Sequence, residues 1–393
     1  MRKLVVGVCN VPERAVYRVV LLNVLANVWE PGLRFLVITN TIQDAIDVEK
    51  LAAAGLTNIS VFAPYSVNWR STSLPVIVGE ANELQLSDVV VVSPERSELL
   101  VLHRESDNHH SVFLTNRCNS YCLMCSQPPT RHNDDWLVDE AQQIAMHIQN
   151  SPKSIGLSGG EPLLLGDLLR PVLDEYLTRH PETAINVLTN GRLLANPDIA
   201  DSVLSGLKGK VSWLVPLYGH ADFIHDFVVQ SPGAFEQTIE GLLTLQAHAQ
   251  PVQLRIVLIE PVLRILPELC RFIGRNLPFV REVALMGCEP IGFALANRAV
   301  CEVDLADWGK QLQDAATALG RANIPFLLMN TPLCALPQPL WPFAHKSISD
   351  WKQTFSKECE GCKVISDCSG LFAWYERGWL PTVIKTIQGA TAQ

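Results

Sequence analysis

The stretch TNRCNSYCLMCSQPP, residues 115–129, holds three cysteines within eight positions: Cys118, Cys122 and Cys125. Their spacing is C-x3-C-x2-C, and the apolar run SVFLTN just before them predicts a strand. Thiolates are soft ligands that suit iron–sulfur clusters or zinc. A structural zinc site is closed by four protein ligands. Three cysteines therefore predict a metal centre with one position left for a group that is not protein. The alternative is zinc, with Cys288 or another distant residue as the fourth ligand.

The charge balance limits the possible partners of the chain. Its 393 residues carry 40 acidic and 31 basic side chains, which gives a net charge of −9, and there is no long basic run. This argues against nucleic acid or a membrane surface as a partner. The first apolar run is too short for a signal peptide, and no apolar stretch has the length of a membrane span. We therefore expect a cytoplasmic protein, in which eleven cysteines do not form disulfides.

Residues 1–105 predict a small α/β unit of unknown role. RFLVITN and TNISVFAP have strand patterns, the helical pattern TIQDAIDVEKLAAAGL lies between them, and DVVVVSPERSELLVLHR predicts a hairpin. Nearer the start, VYRVVLLNVLANVWEPG predicts an amphipathic helix, because Arg18, Asn23 and Asn27 interrupt its apolar residues. The polar segment RESDNHH marks the end of this unit.

Residues 106–325 show strand patterns that alternate with helix patterns over short connections. Six strand patterns, each followed by a helical pattern, are SVFLTN, SIGLSGG, AINVLTNG, VSWLVPLYG, VQLRIVLIE and FVREVALMG. This alternation predicts a parallel sheet covered by helices, either open or as a partial barrel, with its chemistry at the carboxyl ends of the strands. From residue 326 to 393 the chain becomes irregular and rich in Pro, Trp and Cys, which predicts a third unit.

Polar groups and glycines follow several of these strands. SGGEPLL contains Gly159, Gly160, Glu161 and Pro162; glycine allows a ligand to approach the backbone, and a carboxylate can accept a hydrogen bond from an ammonium group. The same stretch spells the G-x-S-x-G nucleophile elbow of serine hydrolases around Ser158. Candidate triad partners for that alternative are His220, His225 and Asp226. The hydrolase alternative leaves the three cysteines unexplained.

Later strand ends offer further candidates. Asn190 lies in LTNG, where an ordinary turn and a ligand contact are both open interpretations. Tyr218 lies in PLYGHADFIHD, which is also compatible with loop packing and a helix cap. Arg255 lies in an apolar strand and needs an anion, either a ligand carboxylate or a structural Asp or Glu. Cys288 in LMGCEPIGF is interpreted as a small buried residue rather than a ligand.

A second group of cysteines lies near the C-terminus. ECEGCKVISDCSG contains Cys359, Cys362 and Cys368 with the spacing C-x2-C-x5-C, and Cys334 lies upstream. These four could fully ligate a second metal centre, with a structural zinc as the alternative to an iron–sulfur cluster. The remaining cysteines predict ordinary thiols: Cys9, Cys270 and Cys301.

The C-x3-C-x2-C motif, followed one βα unit later by GGE, resembles the signature of the radical S-adenosylmethionine (SAM) superfamily. The resemblance implies a radical SAM partial (βα)6 barrel with an N-terminal α/β unit and a C-terminal cysteine-rich unit for an auxiliary cluster. It implies a 4Fe–4S cluster whose free iron binds SAM, and cleavage of SAM to methionine and a 5′-deoxyadenosyl radical. The cofactor contacts that we expect on this basis are Met124, Gly159, Gly160, Glu161, Pro162, Asn190, Tyr218 and Arg255.

Longer stretches are similar to the radical SAM maturases of the His-Xaa-Ser system (the HxsC family). They include LWPFAHKSISDWKQTFSKECEGCKVISDCSG and VPLYGHADFIHDFVVQSPGAF, and the resemblance covers about residues 106–375. It implies a peptide substrate with His-Xaa-Ser repeats, a second radical SAM maturase as partner, an auxiliary 4Fe–4S cluster on the four C-terminal cysteines, and a flavodoxin- or ferredoxin-like electron donor. A radical SAM enzyme acting on a small molecule and a non-catalytic iron–sulfur or zinc scaffold are the alternatives. No side chain in the sequence identifies the modified residue or the bond formed.

Overall fold

The computed structural model of the chain describes residues 2–66, 73–80 and 83–389, without the side chain of Cys9. Contacts divide it into two compact units. The first comprises Met1–Val112, Trp136–Ile155 and Val172–Thr183, and the second comprises Phe113–Asp135, Gly156–Pro171 and Ala184–Gln393. The boundaries predicted near residues 105 and 325 differ from this division and stay predictions. A helix of sufficient length and apolarity to cross a membrane is not found among the described residues.

The N-terminal hundred residues form an eight-stranded sheet with two helices. The elements are β1 (Arg2–Val5), β2 (Gly7–Cys9), β3 (Ala15–Leu21), α1 (Leu22–Val28), β4 (Phe35–Ile38), α2 (Ile42–Ala53), β5 (Ile59–Ala63), β6 (Val76–Val78), β7 (Val89–Ser93) and β8 (Glu98–His103). The strand order is β1-β8-β7-β3-β4-β5-β6-β2. Strands β3 to β6 pair in parallel, and the remaining neighbours pair antiparallel.

Most predicted elements of this region are confirmed, with one correction. RFLVITN forms β4, TNISVFAP forms β5, and the predicted hairpin is β7 with β8. The helix predicted over VYRVVLLNVLANVWEPG is wrong in its first half, because Ala15–Leu21 is the strand β3. Val16, Val19 and Val20 are buried there, and their β-branched side chains favour a central strand that is paired on both sides.

From residue 111 the chain alternates between strands and helices. The elements are β9 (Ser111–Phe113), α3 (Trp136–His147), β10 (Ser154–Ser158), α4 (Leu169–Arg179), β11 (Ala184–Leu188), α5 (Pro197–Leu204), β12 (Val211–Pro216), α6 (Asp222–Val229), α7 (Ala234–Ala247), β13 (Val252–Leu258), α8 (Glu260–Leu263), α9 (Leu266–Asn276), β14 (Glu282–Gly287), α10 (Phe293–Ala296), α11 (Arg298–Cys301), α12 (Gly309–Arg321), β15 (Phe326–Met329) and β16 (Ala344–His345). Neighbours from β11 to β16 pair in parallel.

This second sheet confirms the predicted parallel architecture. Its strand order follows the chain from β9 to β16, so the six alternating strands are present, and β15 and β16 follow them. Helix α6 lies in the segment that the sequence suggested as loop packing with a helix cap, and was missed as an element. Because consecutive strands are neighbours, their carboxyl ends lie side by side along one edge, where the candidate residues of the sequence analysis are found.

Helix α3 belongs to the same compact unit as the N-terminal sheet. The buried Arg18 of β3 donates through Nε to the carbonyl oxygen of His147 over 2.6 Å, at the end of this helix. Arg14 pairs with Glu140 over 2.8 Å. Burial lowers the pKa of His147 to about 4, and its Nε2 accepts a hydrogen bond from the backbone N of Arg34. Buried polar contacts therefore fix α3 within this unit.

The predicted irregular C-terminal region is borne out. Short 3-10 helices span Leu333–Ala335, Gln338–Phe343, Lys357–Cys359 and Ile365–Asp367. A small antiparallel pair consists of β17 (Gln353–Thr354) and β18 (Leu371–Phe372). With so little regular structure, the order of this region depends on its side-chain and sulfur contacts.

Candidate functional site

The cysteine loop, residues 118–125, follows β9 and is held by hydrogen bonds through its backbone. Tyr121 N donates to the carbonyl oxygen of Val229 over 3.0 Å, and Leu123 N donates to that of Val228 over 2.9 Å. Both acceptors lie at the carboxyl end of α6, where helix carbonyls lack partners within the helix. The missed helix α6 therefore provides one wall of the cysteine loop.

The segment after β14 provides a second wall. Phe293 N donates to the carbonyl oxygen of Cys125 over 2.8 Å, and the side-chain amide of Asn297 donates to that of Leu123 over 3.0 Å. Gly292 has φ +63, and a Cβ at this position would lie 2.5 Å from the Cys125 oxygen. Only glycine satisfies both conditions, so this close approach is fixed by the sequence.

The three thiols lie close enough to one another to interact electrostatically. Burial raises the pKa of Cys118 to about 11, and the Cys125 sulfur contributes to that rise. Burial also raises the pKa of Cys122, and the sulfurs of Cys125 and Cys118 raise it further. Thiols in such surroundings keep their protons at neutral pH without a bound cation. A metal centre would replace these protons, which fits the predicted role of the loop.

Gly159 and Gly160 pack against the backbone that leads into the cysteine loop. Gly160 N donates to the Thr115 oxygen over 2.7 Å. A Cβ on Gly160 would lie 2.1 Å from the Arg117 oxygen, and one on Gly159 would lie 2.6 Å from the Thr115 oxygen. The two glycines are therefore required for protein packing, and their predicted contact with a cofactor stays a prediction.

The Glu161 carboxylate is fully buried and bonds within the protein. It accepts hydrogen bonds from Thr189 Oγ1 over 2.5 Å, from Asn190 N over 2.6 Å and from Leu163 N over 2.9 Å. Burial raises its pKa, and these hydrogen bonds oppose the rise. Pro162 begins the 3-10 helix that follows. Glu161 thus ties the end of β10 to the end of β11, while its predicted contact with an ammonium group stays a prediction.

Asn119 and Arg192 complete the site, although the sequence analysis did not single them out. Asn190 Nδ2 donates to Asn119 Oδ1 over 2.6 Å. Arg192 Nη1 donates to the Asn119 carbonyl oxygen over 2.6 Å, and to the hydroxyls of Ser120 and Ser231 over 2.9 Å each. These contacts join residues about seventy positions apart, so no local spacing could have indicated them.

Asp134 is another missed residue, at the far end of the loop region. Its carboxylate is buried and accepts from Thr115 Oγ1 over 2.8 Å and from the Asn116 side chain over 3.0 Å. Arg117 Nε donates to the same carboxylate over 3.2 Å. One carboxylate therefore fixes three consecutive residues directly before Cys118.

Tyr218, His225 and Asp226 fit the structural interpretation of their segment. The His225 ring accepts through Nδ1 from the backbone N of Tyr218 over 3.2 Å. Asp226 accepts from Gly233 N over 2.6 Å, just before α7 begins, and so caps that helix. The side chains of His225 and Asp226 thus hydrogen-bond to the local backbone. The hydrolase alternative, in which they act on Ser158, therefore gains no support.

Arg255 lies in β13 beside Tyr218, whose pKa responds to its charge. Its Nη2 is 3.9 Å from Met329 Sδ, while its Nε is buried and has no hydrogen-bond partner. Burial lowers the pKa of Arg255. Of the Asp and Glu residues in the described ranges, none forms an ion pair with it, so the alternative of a structural carboxylate partner gains no support. A buried guanidinium in this state calls for an anionic ligand.

The remaining predicted residues with a described side chain are buried or half-buried: Met124, Cys270, Cys288 and Cys301. Met124 is buried in the cysteine loop. Cys288 and Cys301 hydrogen-bond to each other, and this contact with burial raises the pKa of Cys288. Cys270 is fully buried in α9. The side chain of Cys9 lies outside the described residues.

The four C-terminal cysteines are brought together around one small cavity. Cys334, Cys359, Cys362 and Cys368 all line it, although Cys334 stands far from the others in the chain. Burial raises the pKa of Cys368, and the sulfurs of Cys359 and Cys362 raise it further. The residue least securely predicted from its spacing, Cys334, is therefore placed with the other three.

Backbone N–H groups point at these sulfurs. Leu333 N donates to Cys368 Sγ over 3.4 Å and Gly370 N donates to it over 3.5 Å. The backbone N–H of Lys385 donates to Cys334 and lowers the pKa of that thiol, while burial raises it. Hydrogen bonds of this kind favour thiolates and are among the features that set the potential of iron–sulfur sites. No three His, Cys, Asp or Glu side chains in the described ranges are arranged to hold a single metal ion.

A family model of the radical SAM superfamily matches residues 112–272. A probable GTP 3′,8-cyclase of Methanocella arvoryzae is 30% identical over 155 residues, which are 38% of this chain and 48% of that protein. An AdoMet-dependent heme synthase of Methanosarcina barkeri is 31% identical over 146 residues, which are 36% of this chain and 40% of that protein. The chain thus spans about half the length of these curated relatives or less.

Solved structures with a similar fold have low identity to this chain. SuiB of Streptococcus suis, bound to the precursor peptide SuiA, has a TM-score of 0.45 at 12% identity and covers 56% of this chain and 48% of its own. The anSMEcpe structure with bound AdoMet and the Cp18Cys peptide has a TM-score of 0.42 at 16% identity and covers 55% and 62%. The family match covers residues 112–272, and the parallel sheet confirms the predicted fold class.

Proposed function

We propose that this chain is a radical SAM enzyme whose first cluster is held by Cys118, Cys122 and Cys125. The observation that carries the proposal is the convergence of three thiols in one loop of eight residues, with no fourth cysteine in that loop. A 4Fe–4S cluster bound by three thiolates keeps one iron free for SAM, and supplies the electron that cleaves SAM to methionine and a 5′-deoxyadenosyl radical. The protein's own part is to bind, orient and shield these groups.

Arg255 is proposed to bind the methionyl carboxylate of SAM. Its Nε is buried and unpartnered, and its charge acts on Tyr218, which also responds to Cys122 and Cys125. A guanidinium pairs with a carboxylate through two parallel hydrogen bonds, which fixes the orientation of the ligand. Arg255 is therefore the cation that would pair with the ligand's carboxylate at the site formed by the cysteine loop.

The other predicted contacts surround the same place. Glu161 raises the pKa of Cys118, which means that its carboxylate lies close to the cysteine loop, where an ammonium group would be favourable. The contacts proposed for SAM are Met124, Gly159, Gly160, Glu161, Pro162, Asn190, Tyr218 and Arg255. Met124 is proposed to pack on the adenine through its polarizable thioether.

A second cluster is proposed on Cys334, Cys359, Cys362 and Cys368. The donor set suits it, because four sulfurs line one cavity and N–H groups donate to two of them. Four protein ligands leave no open iron, so this cluster would accept an electron or anchor the substrate without binding SAM. Zinc is the alternative occupant.

The substrate is proposed to be a ribosomally made peptide with His-Xaa-Ser repeats. The support is the similarity of the long motifs around the second cysteine group and of the segment after β12 to the His-Xaa-Ser maturases. The same similarity suggests a second radical SAM maturase as partner, a flavodoxin- or ferredoxin-like electron donor, and a cytoplasmic location. The chemistry would be hydrogen abstraction from a peptide side chain.

A small-molecule substrate is the second candidate. The relatives named as GTP 3′,8-cyclases match this chain at 26–30% identity, and they favour this candidate over the region that they cover. A third possibility, a non-catalytic iron–sulfur or zinc scaffold, predicts metal binding without SAM cleavage.

The decisive test compares anaerobically reconstituted wild type, C122A and C270A. C270A makes the same chemical change at a buried cysteine in α9 with no proposed metal role. We expect dithionite-dependent formation of 5′-deoxyadenosine by wild type and C270A, and none by C122A. Iron bound without any SAM cleavage would favour the scaffold, and zinc held by the cysteine loop would contradict the proposal.

The substrate class is tested separately. A His-Xaa-Ser repeat peptide is co-expressed with wild type or with C122A and its mass is measured. A mass change with wild type alone supports the peptide proposal. An unchanged peptide, together with turnover of a nucleotide such as GTP by the purified enzyme, would favour the small-molecule candidate.

A further inference from the structure

Arg192 occupies an unusual position for a residue outside the predicted motifs. It begins the 3-10 helix Arg192–Ala195 directly after Gly191, which has φ +74. Its guanidinium is half-buried, and within the described residues it donates to a carbonyl, two hydroxyls and the Gln237 side chain rather than to a carboxylate. A cation with neutral partners keeps its full charge for its surroundings.

The partners of Arg192 lie inside the cysteine loop and beside it. Nη1 donates to the Asn119 carbonyl and to the Ser120 hydroxyl, the two residues after Cys118. The same nitrogen donates to Ser231, and Nε donates to Gln237 of α7 over 2.7 Å. One side chain therefore ties the middle of the loop to the chain on either side of α7's start.

We infer that Arg192 is the positioning residue of the cysteine loop and places a positive charge against residues 119 and 120, between Cys118 and Cys122. Asp134 fixes the residues before Cys118, and α6 fixes residues 121 and 123. In the part of the chain that the structure describes, Arg192 is the charged side chain that bonds to residues 119 and 120.

Two consequences follow for the metal centre, and they rest on the proposed function. A cluster on three thiolates gains negative charge when it is reduced, so a nearby cation makes reduction easier. A loop held in place before the metal arrives also loses less conformational entropy when it binds. Arg192 would therefore raise both the potential and the retention of the first cluster, without touching SAM.

The test uses the full chain as R192Q, R192K and R264Q. R264Q is the matched control, because Arg264 is exposed and pairs with Glu260 on its own helix turn. In metal-free protein, hydrogen exchange of residues 118–125 should quicken about tenfold in R192Q, less in R192K, and not in R264Q, since a charged hydrogen bond is lost. Unfolding midpoints measured in parallel show whether the variants remain folded. If R192Q does not fold, the comparison of R192K with wild type tests the proposal.

In reconstituted protein, the cluster whose EPR signal changes on adding SAM should reduce at a more negative potential in R192Q. R192K, which keeps the charge, should stay near wild type, while R192Q should lose iron to a chelator several-fold faster. Unchanged exchange in folded R192Q would overturn the positioning role, and equal potentials in wild type and R192Q would overturn the electrostatic role. If wild type assembles no cluster, the proposed function fails, and the exchange experiment still decides the role of Arg192.

Discussion

The two cysteine groups differ in the framework that surrounds their sulfurs. In the cysteine loop, hydrogen bonds hold the backbone between the sulfurs, and the framework consists of β9, α6 and the segment after β14. In the C-terminal group, N–H groups donate to the sulfurs, as those of Asn119 and Ser120 also do to Cys118, but the surrounding chain has little regular structure. We therefore expect the fold to shape the first group before any metal binds, and the proposed metal to add order to the second. A site with three sulfurs held by regular structure suits an exchangeable ligand. A site with four sulfurs in an irregular segment suits a permanent one.

The largest effect should come from G160A, which disturbs the backbone contacts of the segment that leads into the cysteine loop. A Cβ there would lie 2.1 Å from the Arg117 carbonyl oxygen, so the backbone before Cys118 must move. We expect a loss of about 2–4 kcal/mol in the free energy of unfolding, and loss of the first cluster's iron. Urea unfolding of metal-free protein and iron analysis after reconstitution measure the two effects.

The control for this prediction is G320A. Gly320 lies in α12 with open space around it, so alanine should stabilise the helix by about 0.5–1 kcal/mol and leave the iron unchanged. Normal iron content and stability in G160A would show that the loop is not framed in the way that the contacts indicate.

The second prediction concerns the exchangeable ligand of the first group. R255A should weaken SAM binding about 10- to 100-fold, because the unpartnered guanidinium would no longer be available for the carboxylate. R255K should recover only part of this affinity, since an ammonium lacks the two-pronged geometry. Equilibrium binding of SAM to reconstituted protein is the measurement.

R264A serves as the control, because it removes an exposed arginine paired to Glu260. Its SAM affinity should equal that of wild type. Equal affinity in R255A and wild type would remove Arg255 from the SAM site, and would leave its buried charge without an explanation.

The third prediction tests a hydrogen bond to a sulfur of the C-terminal cysteine group. K385P removes the N–H that donates to Cys334 and retains the chain around it. Loss of one such bond, worth about 1 kcal/mol, should shift the second cluster's potential by about 40 mV to more negative values. Redox titration of the EPR signal that does not respond to SAM measures it.

K385A is the matched control for this variant, because it loses the side chain and keeps the N–H. Its potential should equal that of wild type. An equal shift in both variants would assign the effect to the lysine charge, and no shift in either would place Cys334 outside the ligand set.

The sequence predicted the elements better than the contacts that hold the site. Alternating apolar patterns gave β9 to β14, since each strand is buried by its own neighbours along the chain. The strand β3 was mistaken for a helix, because no turn residue separates it from α1 and the polar residues of the two elements together match a helical period. A buried central strand and a buried helix have the same composition over such a length, and only pairing on both sides separates them.

The two groups of cysteines were also easier to predict than the residues that hold them in place. Cysteine spacing identified both groups, because thiols have few other uses at such density. Arg192 and Asp134 gave no signal, because an ordinary arginine and aspartate acquire their role only when distant strand ends meet. Glu161 was assigned to a ligand by its motif, and its three hydrogen bonds to the protein could not be inferred from it.

The smallest expected effect distinguishes the two regions by their response to acid. His225 is buried in the frame of the first group, and burial lowers its pKa to about 4. The unfolded chain takes up a proton near pH 6.5, so between pH 6.5 and 4 the unfolded state binds more protons than the folded one. The contribution of His225 to stability is therefore complete above pH 6.5 and declines as the pH falls toward 4.

H225N should remove this decline and keep an acceptor for the backbone N of Tyr218. The free energy of unfolding of metal-free protein should then fall less steeply between pH 6.5 and 5, by at most about 1.4 kcal/mol per pH unit. H132N, at an exposed histidine, should leave the slope unchanged. If H225N has the slope of wild type, the neutral histidine does not support the frame. The slope that remains in H225N should reflect His103, His147 and His180 of the other compact unit, whose pKa values burial also lowers.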